Sequence, residues 1–192
     1  MPRTSKISHV SQRDIEAFRM LFNLNHVPRQ YLNVTNNRLH TYESSGLIER
    51  VFTTKNEELI KCTAKGRDYI SKQSEFWNRT PYVSAFAPKH NAKLAYVYAS
   101  LTKEEQAGWI TEKEVARLYE ERLDYMREHD HDRWEQLREL QWSPSDAAII
   151  NTATGEIETM IEVTTGNYGE AELEMKLTCS LVLDTEISFY KA

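Results

Sequence analysis

Val34-Thr35-Asn36-Asn37-Arg38-Leu39-His40-Thr41-Tyr42-Glu43-Ser44-Ser45-Gly46-Leu47-Ile48-Glu49-Arg50 is the stretch that decides how the front of this chain folds. Thr35 or Asn36 supplies an oxygen that accepts from the free amides of a first helical turn. Leu39 and Tyr42 make one apolar stripe, and Gly46 provides the left-handed residue at which a helix stops. Leu47-Ile48 opens a strand, Lys55-Asn56-Glu57 interrupts it, and Leu59-Ile60-Lys61-Cys62 returns. Thr63 to Ile70 then reads as the next helix. Upstream, Ser11 caps a first helix with Asp14 in its opening turn, and Ile15, Phe18, Leu21 and Phe22 form its core face. Asn23 to His26 breaks that helix. Pro28 suits the first turn of a short one over 28–32.

On the helix after Val34, the outward positions are Asn36, Asn37, Arg38, His40 and Thr41. Asn pairs with adenine and Arg with guanine in a major groove, each through two hydrogen bonds. Lys55 at the hairpin tip, with Lys61 and Lys65 nearby, would meet phosphates, which position a protein without reading sequence. This order of elements resembles the winged helix-turn-helix domains of bacterial regulators and plasmid proteins. The likeness is carried chiefly by Ser45-Gly46-Leu47-Ile48-Glu49-Arg50 and Thr63-Ala64-Lys65-Gly66-Arg67. Three helices and a hairpin also pair proteins, and asparagine at a helix start is often only a cap. Charge favours the nucleic-acid reading.

The net charge of −5 over 192 residues conceals a division. Residues 1–73 hold 12 Lys+Arg against 7 Asp+Glu, whereas the remainder holds 12 against 22. A chain held to DNA along its whole length would not be built this way; one that touches phosphate with its front third would. The expected division is a DNA-binding domain over 1–73, a connector over 74–92 and an α/β domain over 93–192. Hydrophobic residues make up 40% of the chain, enough for packed cores. No apolar run reaches bilayer length, and Met1 to Lys6 lacks the apolar segment of a secretory signal. The expectation is a cytoplasmic protein with no membrane partner, in which Cys62 and Cys179 are buried, reduced thiols.

Behind the front domain, Phe76, Trp77 and Tyr82 are expected to pack between the two domains. Leu94, Val97, Tyr98 and Leu101 mark a helix, and Thr111 with Glu114 forms a capping box for another, whose core face is Val115, Leu118, Tyr119, Leu123 and Met126. His129-Asp130-His131-Asp132 has metal-binding residue types, but neighbours in sequence point in different directions, so these four do not converge on one ion. Trp142 to Asn151 reads as a strand, Thr154-Gly155 as a turn, and Ile157 to Thr164 as the returning strand. A helix over 170–182 carries Leu173, Leu177 and Leu181 four apart. A last strand follows over 186–190.

That order, with Asp146 at the head of the hairpin and Glu162 in its second strand, resembles the PD-(D/E)xK phosphodiesterase superfamily, the restriction-endonuclease-like fold. The resemblance implies that Asp146 and Glu162 converge to hold Mg²⁺ or Mn²⁺. The lysine of that motif is replaced by Thr164. Both halves taken in order, with Ser145-Asp146-Ala147, Ile161 to Gly166 and Leu173-Glu174-Met175-Lys176-Leu177, resemble the replication-relaxation protein family of plasmids, phages and integrative elements. His90 also matches that family's pattern; Thr164, where an Asp is common, does not. The resemblance implies that Lys176 stands in for the missing lysine, making Asp146, Glu162 and Lys176 the catalytic set. A surface pair of Lys176 with Glu172 and a turn cap at Asp146 are the plain alternatives.

The expectation is an α+β protein, a winged helix followed by a degenerate nuclease-like domain. It would bind double-stranded DNA for replication, mobilisation or transcriptional control. A homodimer would place two reading helices in successive grooves, and a replication or mobilisation protein is the expected partner. The alternatives are a metal-dependent endonuclease using Asp146 and Glu162, and a phage-type protein that binds a host factor.

Overall fold

Caps and apolar spacing set the first helix, α1 (Gln12–Leu24), in the computed structural model, which describes residues 7, 9–53, 55–83, 87–166 and 168–192. The first six positions, where no signal segment was expected, lie outside the described residues, as do residues 84–86 of the expected connector. The protein is mixed α+β, with two small sheets and two compact units, 1–99 and 100–192.

In the front unit, α1 is closed by a capping box in which the Ser11 hydroxyl and amide both donate to Asp14. A short strand, β1 (His26–Pro28), and a 3-10 turn over Arg29–Tyr31 replace the short helix expected over 28–32. Pro28 ends the strand instead of starting a helix, because His26 to Pro28 pairs antiparallel with β3 (Glu58–Cys62). Helix α2 (Asn36–Ser44) is capped by the Thr35 side chain. It is followed by β2 (Ile48–Phe52), and the sheet order is β1-β3-β2. Leu39 and Tyr42 are the buried residues of α2, and the Tyr42 ring lies 5.2 Å from that of Phe18.

The two motifs that resembled regulators interlock. Gly46, at φ +73°, sends its N–H to the Glu43 carbonyl, and Leu47 sends its own to Tyr42, the paired bonds of a helix stop. Helix α3 (Ala64–Ser71) starts at Thr63, whose hydroxyl donates to the Gly46 carbonyl at 2.7 Å. Gly66 lies so near that a Cβ there would sit 2.0 Å from the Leu47 carbonyl oxygen. Lys65 donates to the Ser45 carbonyl at 2.7 Å, neutralising the negative end of α2. Ser45, Gly46, Leu47, Thr63, Lys65 and Gly66 thus hold a helix end or a close crossing, while Glu49 and Arg50 lie in β2 and pair with Lys61, Glu43 and Glu58.

The aromatic segment expected between the domains packs back on α1. Phe76, in a 3-10 turn over Ser74–Phe76, sets its ring 4.9 Å from Phe22, and the Tyr82 N–H donates to the Phe22 carbonyl. Trp77 is 76% exposed. Helix α4 (Pro88–Ser100) also falls with the front unit, so the boundary lies near residue 99 instead of 92. The charge division widens accordingly, to 15 Lys+Arg against 8 Asp+Glu before residue 100 and 9 against 21 after it.

The rear unit opens with α5 (Lys103–Ala107) and β4 (Trp109–Thr111), two short elements that leave no periodic signal. Helix α6 (Glu112–His129) starts at the expected Thr111–Glu114 box, and α7 (His131–Leu137) is capped by Asp130. Strands β5 (Ala147–Ile150) and β6 (Ile157–Thr164) form an antiparallel hairpin. Helix α8 (Glu170–Leu183) then crosses to β7 (Ile187–Lys191), which runs parallel to β6. Sheet order is β4-β5-β6-β7. The core gathers Val115, Tyr119 and Met126 from α6 with Met160, Cys179 and Val182, and Trp142 stacks on Tyr119 at 3.7 Å. The inward face of α8 is Lys176, Cys179 and Val182, not the leucine series; Leu177 and Leu181 are half exposed. Burial pushes the thiols of Cys62 and Cys179 up to about 12, so both stay protonated and inert at neutral pH. Among the described residues, no helix is long and apolar enough to cross a membrane.

Candidate functional site

Two places gather the residues singled out from sequence: the outer face of α2 with its hairpin, and the head of the β5–β6 hairpin under α8.

On α2, Asn36, Asn37 and His40 are exposed and Thr41 is half-buried. Their engagements differ. The Asn36 side chain accepts from Arg29, whose guanidinium also braces the Leu32 and Val34 carbonyls. Thr41 returns its hydroxyl to the Asn37 carbonyl. His40 lies 3.8 Å from Glu43. Arg38 is not an outward reader. Its Nε donates to Asp14 Oδ1 at 2.7 Å, and its Nη2 donates to Asp14 Oδ2 at 2.8 Å and to the His9 carbonyl. The Tyr42 hydroxyl, one turn further along α2, donates to the same Asp14 carboxylate. Burial alone would raise Asp14. Hydrogen bonds from Arg38, Tyr42 and Ser11 override it and hold the carboxyl well below the usual carboxylate range. Arg38 therefore fixes α2 against α1.

The hairpin cations divide in the same way. Lys55 is exposed at the tip beside Asn56, which turns the chain at φ 62°. Lys61 forms a surface pair with Glu49 at 2.5 Å, the exposed kind of pair that contributes little and opens readily. Lys65, also exposed, donates to the Ser45 carbonyl at 2.7 Å, which gives it a structural contact at the end of α2.

At the rear, Asp146, Glu162 and Lys176 do come together. Ala147 pairs with Ile161, so the next rung of the hairpin would set Asp146 opposite Glu162. The side chains complete that rung: Val163 N–H donates to Asp146 Oδ2 at 2.8 Å, and Asp146 N–H donates to Glu162 Oε2 at 3.0 Å. Lys176, reaching inward from α8, lies 3.1 Å from Glu162 Oε1 and donates to the Pro144 carbonyl at 2.5 Å. The Tyr168 hydroxyl also donates to Glu162 Oε1. Glu162 is 1% exposed and Lys176 8%. The surface pair with Glu172 does not form; that carboxylate instead accepts from the Gly169 amide. Tyr168 had no sequence signal beyond being a tyrosine in a glycine-bounded break, and Asp14 was legible only as a cap.

This donor set fits a divalent ion poorly. Both Glu162 oxygens and Asp146 Oδ2 already accept from the protein, and the Lys176 ammonium supplies the positive charge beside Glu162. No group of three or more His, Cys, Asp or Glu side chains is placed to hold a metal among the described residues. His129 and His131 stack on Tyr125 and Trp134, and Asp130 caps α7. Compared with known proteins, the chain matches no family model, no curated protein and no solved structure.

Burial pushes the Glu162 carboxyl above its usual value, and the Asp146 charge adds to that; Lys176 and Tyr168 oppose both. A carboxyl raised on folding contributes stability below the ordinary range, near about pH 4.3, and loses it as pH rises through the raised value. Glu162→Gln keeps the shape without the charge. As pH rises from about 4 to about 8, the unfolding free energy of Glu162→Gln, read from urea titrations, is expected to gain on that of wild type. A variant that loses ground over that interval would mean that Lys176 and Tyr168 hold the carboxylate ionised.

Proposed function

We propose that the chain is a double-stranded-DNA-binding protein, its front unit docking as a winged helix with α2 in a major groove and the β2–β3 hairpin alongside. The order α1, β1, turn, α2, hairpin, α3, with β1 paired to β3, supports this reading. The observation that carries it is the exposure of Asn37 and His40 on a helix whose inner side is anchored, in a unit with excess positive charge. Asn37 and His40 read base edges, flanked by Asn36 and Thr41; Lys55 and, once its surface pair opens, Lys61 meet phosphate. The acidic rear unit stays off the duplex. The sequence resemblance to replication-relaxation proteins supports placing the activity on a mobile element, in replication, mobilisation or transcriptional control, and a homodimer on a palindromic site is the arrangement proposed with it.

The test is anisotropy of labelled duplexes selected from a random pool by the full chain. Binding should fall steeply with salt through counterion release. Asn37→Ala with His40→Ala should lose about 1–3 kcal/mol of discrimination per good contact, while Lys55→Ala weakens all duplexes alike and lowers the salt slope by about 1. Arg38→Ala is not a test of reading, since it cuts the Asp14 pair. Undiminished selectivity in the double variant, or no salt-dependent binding by wild type, would overturn the reading.

A second reading, a phosphodiesterase, is favoured by the gathering of Asp146, Glu162 and Lys176 on a helix, hairpin, helix and parallel strand in nuclease-like order. The occupied carboxylates support a degenerate site instead. Supercoiled and linear DNA incubated with Mg²⁺ or Mn²⁺ should stay intact; cleavage lost in Asp146→Ala would establish the enzyme.

A further inference from the structure

Helix α8 is apolar on two sides, which a helix covered on only one side does not require. Its inward face carries Cys179 and Val182; its outward face carries Leu177 and Leu181, one turn apart and 49% and 53% exposed. Between that outer face and the turn into β7 runs a shallow groove of about 740 Å³. The Thr178 and Ser180 hydroxyls in it donate to the carbonyls of Glu174 and Leu177, so they make little demand on an occupant. Glu174, Asp184 and Glu186 rim the groove, all three exposed, and no Lys or Arg lines it. Nearby, Arg133 is directed to the Leu181 carbonyl at 3.3 Å.

We propose that this groove docks a basic amphipathic helix of a partner protein. The apolar positions of that helix seat against Leu177 and Leu181, and its Lys or Arg side chains meet Glu174, Asp184 and Glu186. Leucines spaced four apart present the ridge that a second helix packs against, and helix-in-groove recognition reads such anchors at i, i+3 or i+4 and i+7. Charge chooses the occupant. A second copy placed symmetrically would bring an identical acidic rim onto this one, in a unit holding 9 Lys+Arg against 21 Asp+Glu. A basic helix matches both the rim and the field around it. The inference stands whether or not the front unit binds DNA.

The probe is a labelled synthetic peptide with Leu at helical spacing and Lys at the remaining positions, titrated with the full chain at low and physiological salt. A peptide of the same composition in scrambled order is the control. Leu177→Ser with Leu181→Ser should weaken binding about tenfold or more, since anchors in an apolar groove carry most of the affinity. Glu174→Gln, Asp184→Asn and Glu186→Gln together should flatten the salt dependence, and the thermal midpoints of both variants should stay near wild type. Equal binding of the scrambled peptide, or unchanged binding by the serine variant, would overturn the proposal. So would a dimer of the chain that the serine variant dissolves, because the occupant would then be a second copy.

Discussion

The carboxylate of Asp14 is the constraint on which the front unit depends. It is 2% exposed and takes donors from three directions: the Ser11 cap on its own helix, the Arg38 fork and the Tyr42 hydroxyl on the next one. Arg38 keeps part of its side chain in solvent, yet losing it would leave the Asp14 carboxylate buried without its cation, which is the costly half of breaking such a pair. A helix of nine residues has little stability of its own. Bolted at its first and second turns by Arg38 and Tyr42, and stopped by Gly46 with Lys65, α2 holds one rotational setting. That setting leaves Asn37 and His40 outward.

The rear unit repeats the device with different residues. Glu162, Lys176 and Tyr168 correspond in chemistry to Asp14, Arg38 and Tyr42: a buried carboxylate, a cation and a phenol. The two carboxyls are nonetheless displaced in opposite directions. Asp14 receives a two-pronged guanidinium and a backbone amide, with no second acid among the causes of its shift. Glu162 shares its corner with Asp146, and burial dominates there. One arrangement has a charge pair that favours ionisation; the other is a close-packed tie between two strands and a helix, in which a lysine occupies the place of a metal ion's charge.

Capping and periodicity made most elements legible beforehand: Ser11 with Asp14, Thr35, Gly46 and the Thr111–Glu114 box each sit where their chemistry suggested, and α3 begins next to Thr63, where a helix was read. What escaped has physical reasons. Three-residue strands such as β1 and β4 carry too few positions to show a period of two. The leucine spacing in α8 marked a helix but not its inward side, because Lys176 and Cys179, not leucines, face the sheet. Arg38 looked like a reader because nothing local shows that an acid 24 positions upstream claims it. The convergence of Asp146, Glu162 and Lys176 was legible through family resemblance, whereas the bonds that both Glu162 oxygens and Asp146 Oδ2 accept needed coordinates.

The proposed function requires a division of labour, in which the basic unit touches the duplex and the acidic one does not. Backbone amide shifts of isotopically labelled full chain, recorded as duplex DNA is added, test it directly. The account predicts perturbations centred on residues 36–44 and 55–57, with those beyond residue 100 unmoved. Perturbations concentrated around Asp146, Glu162 and Lys176, with α2 silent, would contradict it.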